Sequence, residues 1–128
     1  MKATARRREG YVHEVETDDG HTIVADEPAA EGGTDAGPAP TRLLASSLAA
    51  CTAITIEMYA DRKGWDVGDL EVEASGEEGK PASFDVVIRL PESIDAEQEK
   101  RILNVAGKCP VHRMLAGDMV LSDRVERI

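Results

Sequence analysis

The pattern of apolar and polar positions divides the chain into seven main elements in the order ββ-α-ββ-α-β. Tyr11–Glu16 and His21–Ala25 flank Asp18-Asp19-Gly20, and an Asp-Gly step between two strand-like segments signals a hairpin turn. The next stretch, Asp26 to Ala39, holds Pro28, Gly32, Gly33, Gly37 and Pro38 and is expected to be a loop. A long helix should follow. Pro40 suits a first helical turn, and Gly64 after Arg62-Lys63 is a stop signal with two cations at the negative helix end. Between them Leu44, Leu48, Cys51, Thr55 and Met58 recur at steps of four and three, the spacing of one helical stripe. Ala45, Ser46, Ser47, Ala49, Ala50 and Ala53 keep this helix slim enough for close packing.

Alternation returns in the second half. Leu70, Val72 and Ala74, then Phe84, Val86, Ile88 and Leu90, each skip a residue, which predicts two strands joined by a turn over Glu77–Pro81. Asp95 with Gln98 three residues later forms a capping-box pattern. Ile102, Val105, Ala106 and Cys109 give the apolar side of the helix it starts. Gly107 and Pro110 break that helix, and Pro110 to Ala116 is expected to make a short helical turn. Asp118 to Ile128 reads as a final strand. Sequential strands with short turns imply antiparallel pairing, so the fold class is α+β in one domain spanning residues 1–128.

Charge narrows the function. The formal net charge of −10 lacks the basic footprint that nucleic acids and anionic membranes require. Ten arginines against five lysines make an acidic, lysine-poor surface of the kind that also suits high salt. Met1–Gly10 is basic with no apolar stretch behind it, so it does not read as a signal peptide. Leu43–Ile56, broken by Ser46, Ser47, Thr52 and Thr55, reads as too short and polar to span a bilayer. These features predict a cytoplasmic protein that engages neither nucleic acid nor membrane. Aromatic residues make up 3% of the chain, a lean core that fits further burial against a second subunit.

In a reducing compartment two cysteines are not expected to form a permanent structural bridge. They are either inert core residues or a working redox pair. Each falls on the apolar side of a predicted helix, so the two sulfurs meet if those helices pack together. Pro110 makes Cys109 the cap of a short helix, where backbone N–H groups favour a thiolate, and Arg113 adds positive charge one turn on. Cys51, mid-helix, has no cation among its sequence neighbours. A zinc module is the competing chemistry: Cys109 and His112 have Cys-x-x-His spacing, and Cys51, His13 and His21 are the further donors available, but structural zinc usually takes two well-spaced pairs. No G-x-S-x-G elbow, phosphate loop or dinucleotide fingerprint is present.

Several segments resemble the OsmC/Ohr family. Pro40-Thr41-Arg42-Leu43-Leu44-Ala45-Ser46-Ser47-Leu48-Ala49-Ala50-Cys51-Thr52-Ala53 is similar to its first cysteine helix, and Lys108-Cys109-Pro110-Val111-His112 to its second cysteine segment. Asp26-Glu27-Pro28, Gly32-Gly33, Asp35 and Gly37-Pro38 resemble the preceding loop of an OsmC-like subgroup. Tyr59-Ala60-Asp61-Arg62-Lys63-Gly64-Trp65 resembles the helix end of the same subgroup. The resemblance implies an intertwined homodimer with antiparallel sheets wrapped around two central helices per subunit. It implies a thiol-dependent peroxidase acting on small organic hydroperoxides, and on hydrogen peroxide as a further substrate. On that resemblance Cys51 is the peroxidatic residue and Cys109 the resolving one. An external dithiol, often a lipoylated protein, is the reductant, and neither metal nor organic cofactor is required.

One position departs from the family. A glutamate in a Pro-x-Glu-Leu-Leu pattern holds an arginine against the reactive sulfur in active relatives. Here that position is Arg42, and the loop that supplies the arginine matches only loosely at Arg8-Glu9-Gly10. Arg8 and Arg42 are therefore the candidate activating cations. The departure also leaves a second expectation open, a binding or redox-sensing stress protein of the same fold with weak or no turnover.

Overall fold

A computed structural model describes all residues, Met1–Ile128. The chain forms two compact units, Met1–Ser46 and Ser47–Ile128.

The first unit is built on an antiparallel sheet of β1 (Ala3–Glu9), β2 (Val12–Thr17) and β3 (Thr22–Ala25), in that order. The β2–β3 hairpin turns at the predicted Asp-Gly step, where Gly20 takes φ 93°, the left-handed region that glycine enters without steric penalty. β1 is a correction to the sequence reading, in which this segment was only a basic terminus. Its arginines face acidic partners on β2: Arg6 pairs with Glu16 at 3.1 Å, and the Nε of Arg8 donates to Glu14 at 3.1 Å. The register shifts between Arg7 and Glu9, so Arg8 sits in a bulge.

The loop after β3 is more ordered than its glycines and prolines suggest. Asp26 is 2% exposed. Its carboxylate accepts from the N–H groups of Glu27, Thr34 and Ala36 and, at 2.6 Å, from the Thr34 hydroxyl. One side chain thus folds ten residues of loop around itself, as Asx motifs do on a smaller scale. Thr34's hydroxyl, aided by the backbone donors, holds the Asp26 carboxyl down to about 2. The close wrapping leaves no room at Gly33, where a side chain would collide with the Glu27 carbonyl, or at Gly37, where it would meet the Val24 carbonyl.

α1 (Pro40–Lys63) matches the predicted helix at both ends. Gly64 at φ 70° closes it, with Trp65 N–H donating to the Ala60 carbonyl at 2.9 Å, the 6→1 bond of a Schellman end. Its buried face is another matter. The buried residues are Leu48, Thr52, Ile56 and Ala60, while Leu44 and Met58 of the expected stripe are exposed. The whole 24-residue helix is long and apolar enough to cross a bilayer, which the shorter window Leu43–Ile56 did not indicate. In this fold the Ile56–Ala60 side of it is taken up by the protein's own core.

That core belongs to the second unit. Ile56, Ala60, Val67, Ile102 and Ala106 form a buried cluster, with Trp65, Leu70, Val72, Ile88, Leu90 and Ile94 packed against it. β4 (Glu71–Glu77) and β5 (Ser83–Arg89) form the predicted antiparallel pair, register Val72↔Ile88 and Ala74↔Val86. α2 (Ala96–Ala106) starts with the predicted capping box, Asp95 and Gln98 each bonding the other's backbone N–H. α3 (Pro110–Ala116) follows after a short turn. The expected final strand is absent: residues 118–128 form no strand or helix. Val120, Leu121 and Val125 alternate poorly and are exposed, with no neighbouring strand to pair them. The class is α+β with antiparallel sheets and three helices.

Candidate functional site

Cys51 lies in the middle of α1, one position before the buried Thr52. Cys109 lies between α2 and α3, where the chain leaves the helical conformation (φ −53°, ψ 130°). Pro110 dictates this locally, because it disfavours helical geometry in the residue before it and then starts a helix itself. The result is the predicted cap. The Sγ of Cys109 accepts from the His112 N–H at 3.4 Å.

The fold brings the two sulfurs together. Both cysteines are free, Cys109 wholly buried and Cys51 half-buried, and a hydrogen bond links the two thiols. The Val111 N–H acts on both sulfurs, and the Thr55 hydroxyl, one turn along α1, on Cys51.

Electrostatics sets the two sulfurs apart. Burial, then the hydrogen bond and negative charge of Cys109, push the Cys51 thiol up, against smaller opposing effects of Val111 N–H and Thr55. At Cys109 burial also acts upward, but the Cys51 thiol, the His112 N–H, the nearby dipole of the Thr52 hydroxyl and the Val111 N–H outweigh it. The net direction at Cys109 is down. The reduced pair therefore holds its first negative charge on the buried sulfur, with Cys51 as the donor S–H.

The other candidates are placed differently. Arg8 is engaged by Glu14 within its own hairpin. Arg42 is exposed in the first turn of α1, and its carbonyl accepts from the Ser46 hydroxyl at 2.7 Å. His112 serves Cys109 through its backbone N–H. Its ring lines a cleft of about 220 Å³ with Leu48, Phe84, Val86 and Leu115. No group of three or more His, Cys, Asp or Glu side chains converges to hold a metal, and His13 directs Nδ1 to the Tyr11 carbonyl at 2.9 Å. Thr52 was missed by the sequence reading, which placed it among the polar breaks in an apolar run. No local signal distinguishes it from the other hydroxyl residues of α1.

Comparison with known proteins adds a family. The OsmC-like protein family model matches residues 32–122. Among solved structures, an OsmC-like protein from Mycoplasma pneumoniae superposes with TM-score 0.75 at 21% identity, covering 91% of this chain and 86% of the other. An organic hydroperoxide resistance protein OsmC from Legionella pneumophila gives TM-score 0.61 at 21% identity, covering 91% and 90%. The organic hydroperoxide resistance protein OhrB of Bacillus subtilis gives TM-score 0.57 at 24% identity, covering 92% and 93%. At such identities the likeness carries the fold rather than the chemistry. No curated protein matches the chain.

Proposed function

The chain belongs to the OsmC-like protein family, and from that premise we propose that it is a thiol-dependent peroxidase in which Cys51 and Cys109 reduce small organic hydroperoxides. The observation that carries this reading is the hydrogen-bonded pair of free thiols, with backbone N–H groups of α3 aimed at both.

Cys51 is the more accessible sulfur and so the one that meets peroxide. As the peroxide enters, Cys51 passes its proton to the Cys109 thiolate along their shared hydrogen bond. The Cys51 thiolate attacks the terminal peroxide oxygen, the O–O bond breaks, and sulfur is oxidised to sulfenic acid while the peroxide is reduced to an alkoxide. The alkoxide takes the proton from Cys109 and leaves as the alcohol. The regenerated Cys109 thiolate then attacks the sulfenic sulfur. An S–S bond forms, the S–O bond breaks, and hydroxide departs to be protonated by solvent. An external dithiol, free or lipoyl-borne, returns both sulfurs to the thiol state by exchange.

On this reading the protein works in a reducing, cytoplasmic setting as a homodimer without metal or organic cofactor. Ile54, Met58 and Leu103, all exposed, are the apolar surface that a second copy would cover. Hydrogen peroxide is a secondary substrate, because the apolar side chains near the pair favour alkyl groups.

The test is consumption of cumene hydroperoxide with a dithiol, by wild type and Cys51→Ser. Turnover by the wild type alone supports the reading, and a folded wild type without turnover rejects it. A second reading, a redox-sensing or binding protein with weak turnover, is favoured by the proton resting on Cys51 and by Arg42 in place of the family glutamate. A sharp rise in activity in Arg42→Glu would support it.

A further inference from the structure

Thr52 is 1% exposed, and its hydroxyl oxygen is a buried polar atom without a hydrogen-bond partner of good geometry. A threonine or serine within a helix ordinarily bonds the carbonyl four residues back. Ser46 of the same helix does so, to Arg42 at 2.7 Å. Thr52 does not. An unsatisfied buried hydroxyl forfeits its bonds to water without replacement, and in a native protein such a group calls for an explanation in strain, water or redox chemistry. Cys109, whose wholly buried sulfur accepts from the His112 N–H at 3.4 Å, is a neighbour on which that hydroxyl acts.

We propose that Thr52 is a positioning residue of the dithiol site, its hydroxyl donating to the ionised sulfur of Cys109 and holding that sulfur ready to attack Cys51. The inference deepens the peroxidase reading and rests on it for its role in turnover. Adjacent positions of a helix point about 100° apart, so Cys51 and Thr52 address Cys109 from two directions. Cys51 supplies a donor S–H before peroxide arrives and loses it on oxidation to the sulfenic acid. The Thr52 O–H remains as a donor through that step, when Cys109 must be an anion to form the S–S bond. When Cys109 is oxidised or protonated the hydroxyl is left without a strong acceptor. A merely structural threonine here would be better replaced by valine.

The test uses reduced full-length protein labelled with carbon-13 at cysteine Cβ, so that each thiol titrates separately. Cys51→Ser assigns the signals. In Thr52→Val the Cys109 midpoint is expected to rise by about half a pH unit, the effect of one net hydrogen bond to sulfur, and Thr52→Ser is expected to restore it. Single-turnover disulfide formation after one equivalent of peroxide should slow in Thr52→Val at fixed pH. An unchanged Cys109 midpoint in folded Thr52→Val overturns the proposal, as does failure of serine to restore it. Absence of peroxide turnover in the wild type would remove the peroxidase reading while leaving the titration to decide the role of Thr52.

Discussion

The backbone N–H of His112 donates to the Sγ of Cys109 at 3.4 Å, so the second cysteine is capped by the helix that Pro110 begins. Together with the donor S–H of Cys51, that relationship distinguishes the two thiols. Cys109 has the His112 N–H of its own cap as a fixed donor, whereas Cys51 projects from mid-helix, where the N–H groups of α1 itself are taken up by the helix ladder and the donors acting on its sulfur are the Val111 N–H and the Thr55 hydroxyl.

The reduced protein should therefore titrate in two steps, with the buried sulfur first. Thiolate absorbance in the ultraviolet is expected to show one thiolate below the ordinary thiol range of about 8.5 and the second above it. The early step should persist in Cys51→Ser and vanish in Cys109→Ser. The sign for stability follows. A depressed thiol such as Cys109 adds stability that is full above its unfolded value and is lost as pH falls through its folded value. The raised Cys51 acts oppositely, with stability present below the unfolded value and lost as pH rises through the folded one. Denaturant unfolding of each single variant across pH 6–10 separates the two slopes (roughly the range in which thiols titrate).

Removing Cys109 should uncouple peroxide attack from resolution. Cys109→Ser is expected to consume one equivalent of peroxide, more slowly than wild type because Cys51 has lost its proton acceptor, and to accumulate a sulfenic acid at Cys51, trapped by dimedone and read by intact mass. Its dithiol-supported turnover should fall by roughly tenfold or more, because an intramolecular attack is replaced by a bimolecular one. A variant that turns over at the wild-type rate would contradict the resolving role.

Acid should open the loop after β3 before the rest of the first unit. The Asp26 carboxyl is held down to about 2 by Thr34 and the backbone donors around it. Its folded value is depressed, so its stabilisation is present above the unfolded value of about 3.9 and is lost as pH falls toward the folded one. Amide exchange at Thr34 and Ala36 is expected to accelerate between those two values. In Asp26→Asn, which keeps the shape but halves the acceptor capacity, exchange should be fast already at neutral pH.

Ile56 is wholly buried in the core cluster. Ile56→Ala should destabilise the protein by about 2–5 kcal/mol, the usual cost of truncating a buried aliphatic side chain. The midpoint of urea unfolding checks this. The thiol titration of the folded variant should keep its two-step order, which separates core packing from the chemistry of the pair.

Local chemistry made much of this protein legible in its sequence. The Asp18-Asp19-Gly20 turn, the Pro40 start and Gly64 stop of α1, the Asp95/Gln98 box and the Cys109-Pro110 cap all depend on residues within a few positions of one another. A backbone with unmet hydrogen bonds responds to such neighbours in any context. The family resemblance was legible for the same reason, as contiguous segments in order.

Tertiary structure decided the rest. α1 is apolar or small on nearly every side, so periodicity does not select a face. Contact with Val67, Ile102 and Ala106 fixes it at Ile56 and Ala60, and the buried face runs through Leu48, Thr52, Ile56 and Ala60 while Leu44 and Met58 stay exposed. β1 forms because its backbone pairs antiparallel with β2 from Ala3↔Thr17 to Glu9↔Val12, with Arg6 and Arg8 against Glu16 and Glu14 across the ladder, and its run of charged residues carries no apolar alternation to announce a strand. The tail lacks such a partner and forms no strand. The meeting of Cys51 with Cys109, and the placing of an unsatisfied Thr52 hydroxyl beside them, join residues nearly sixty positions apart. The sequence by itself determined the elements and the reactive groups, because these depend on local backbone chemistry. Which groups face one another was settled only when long-range packing chose the faces.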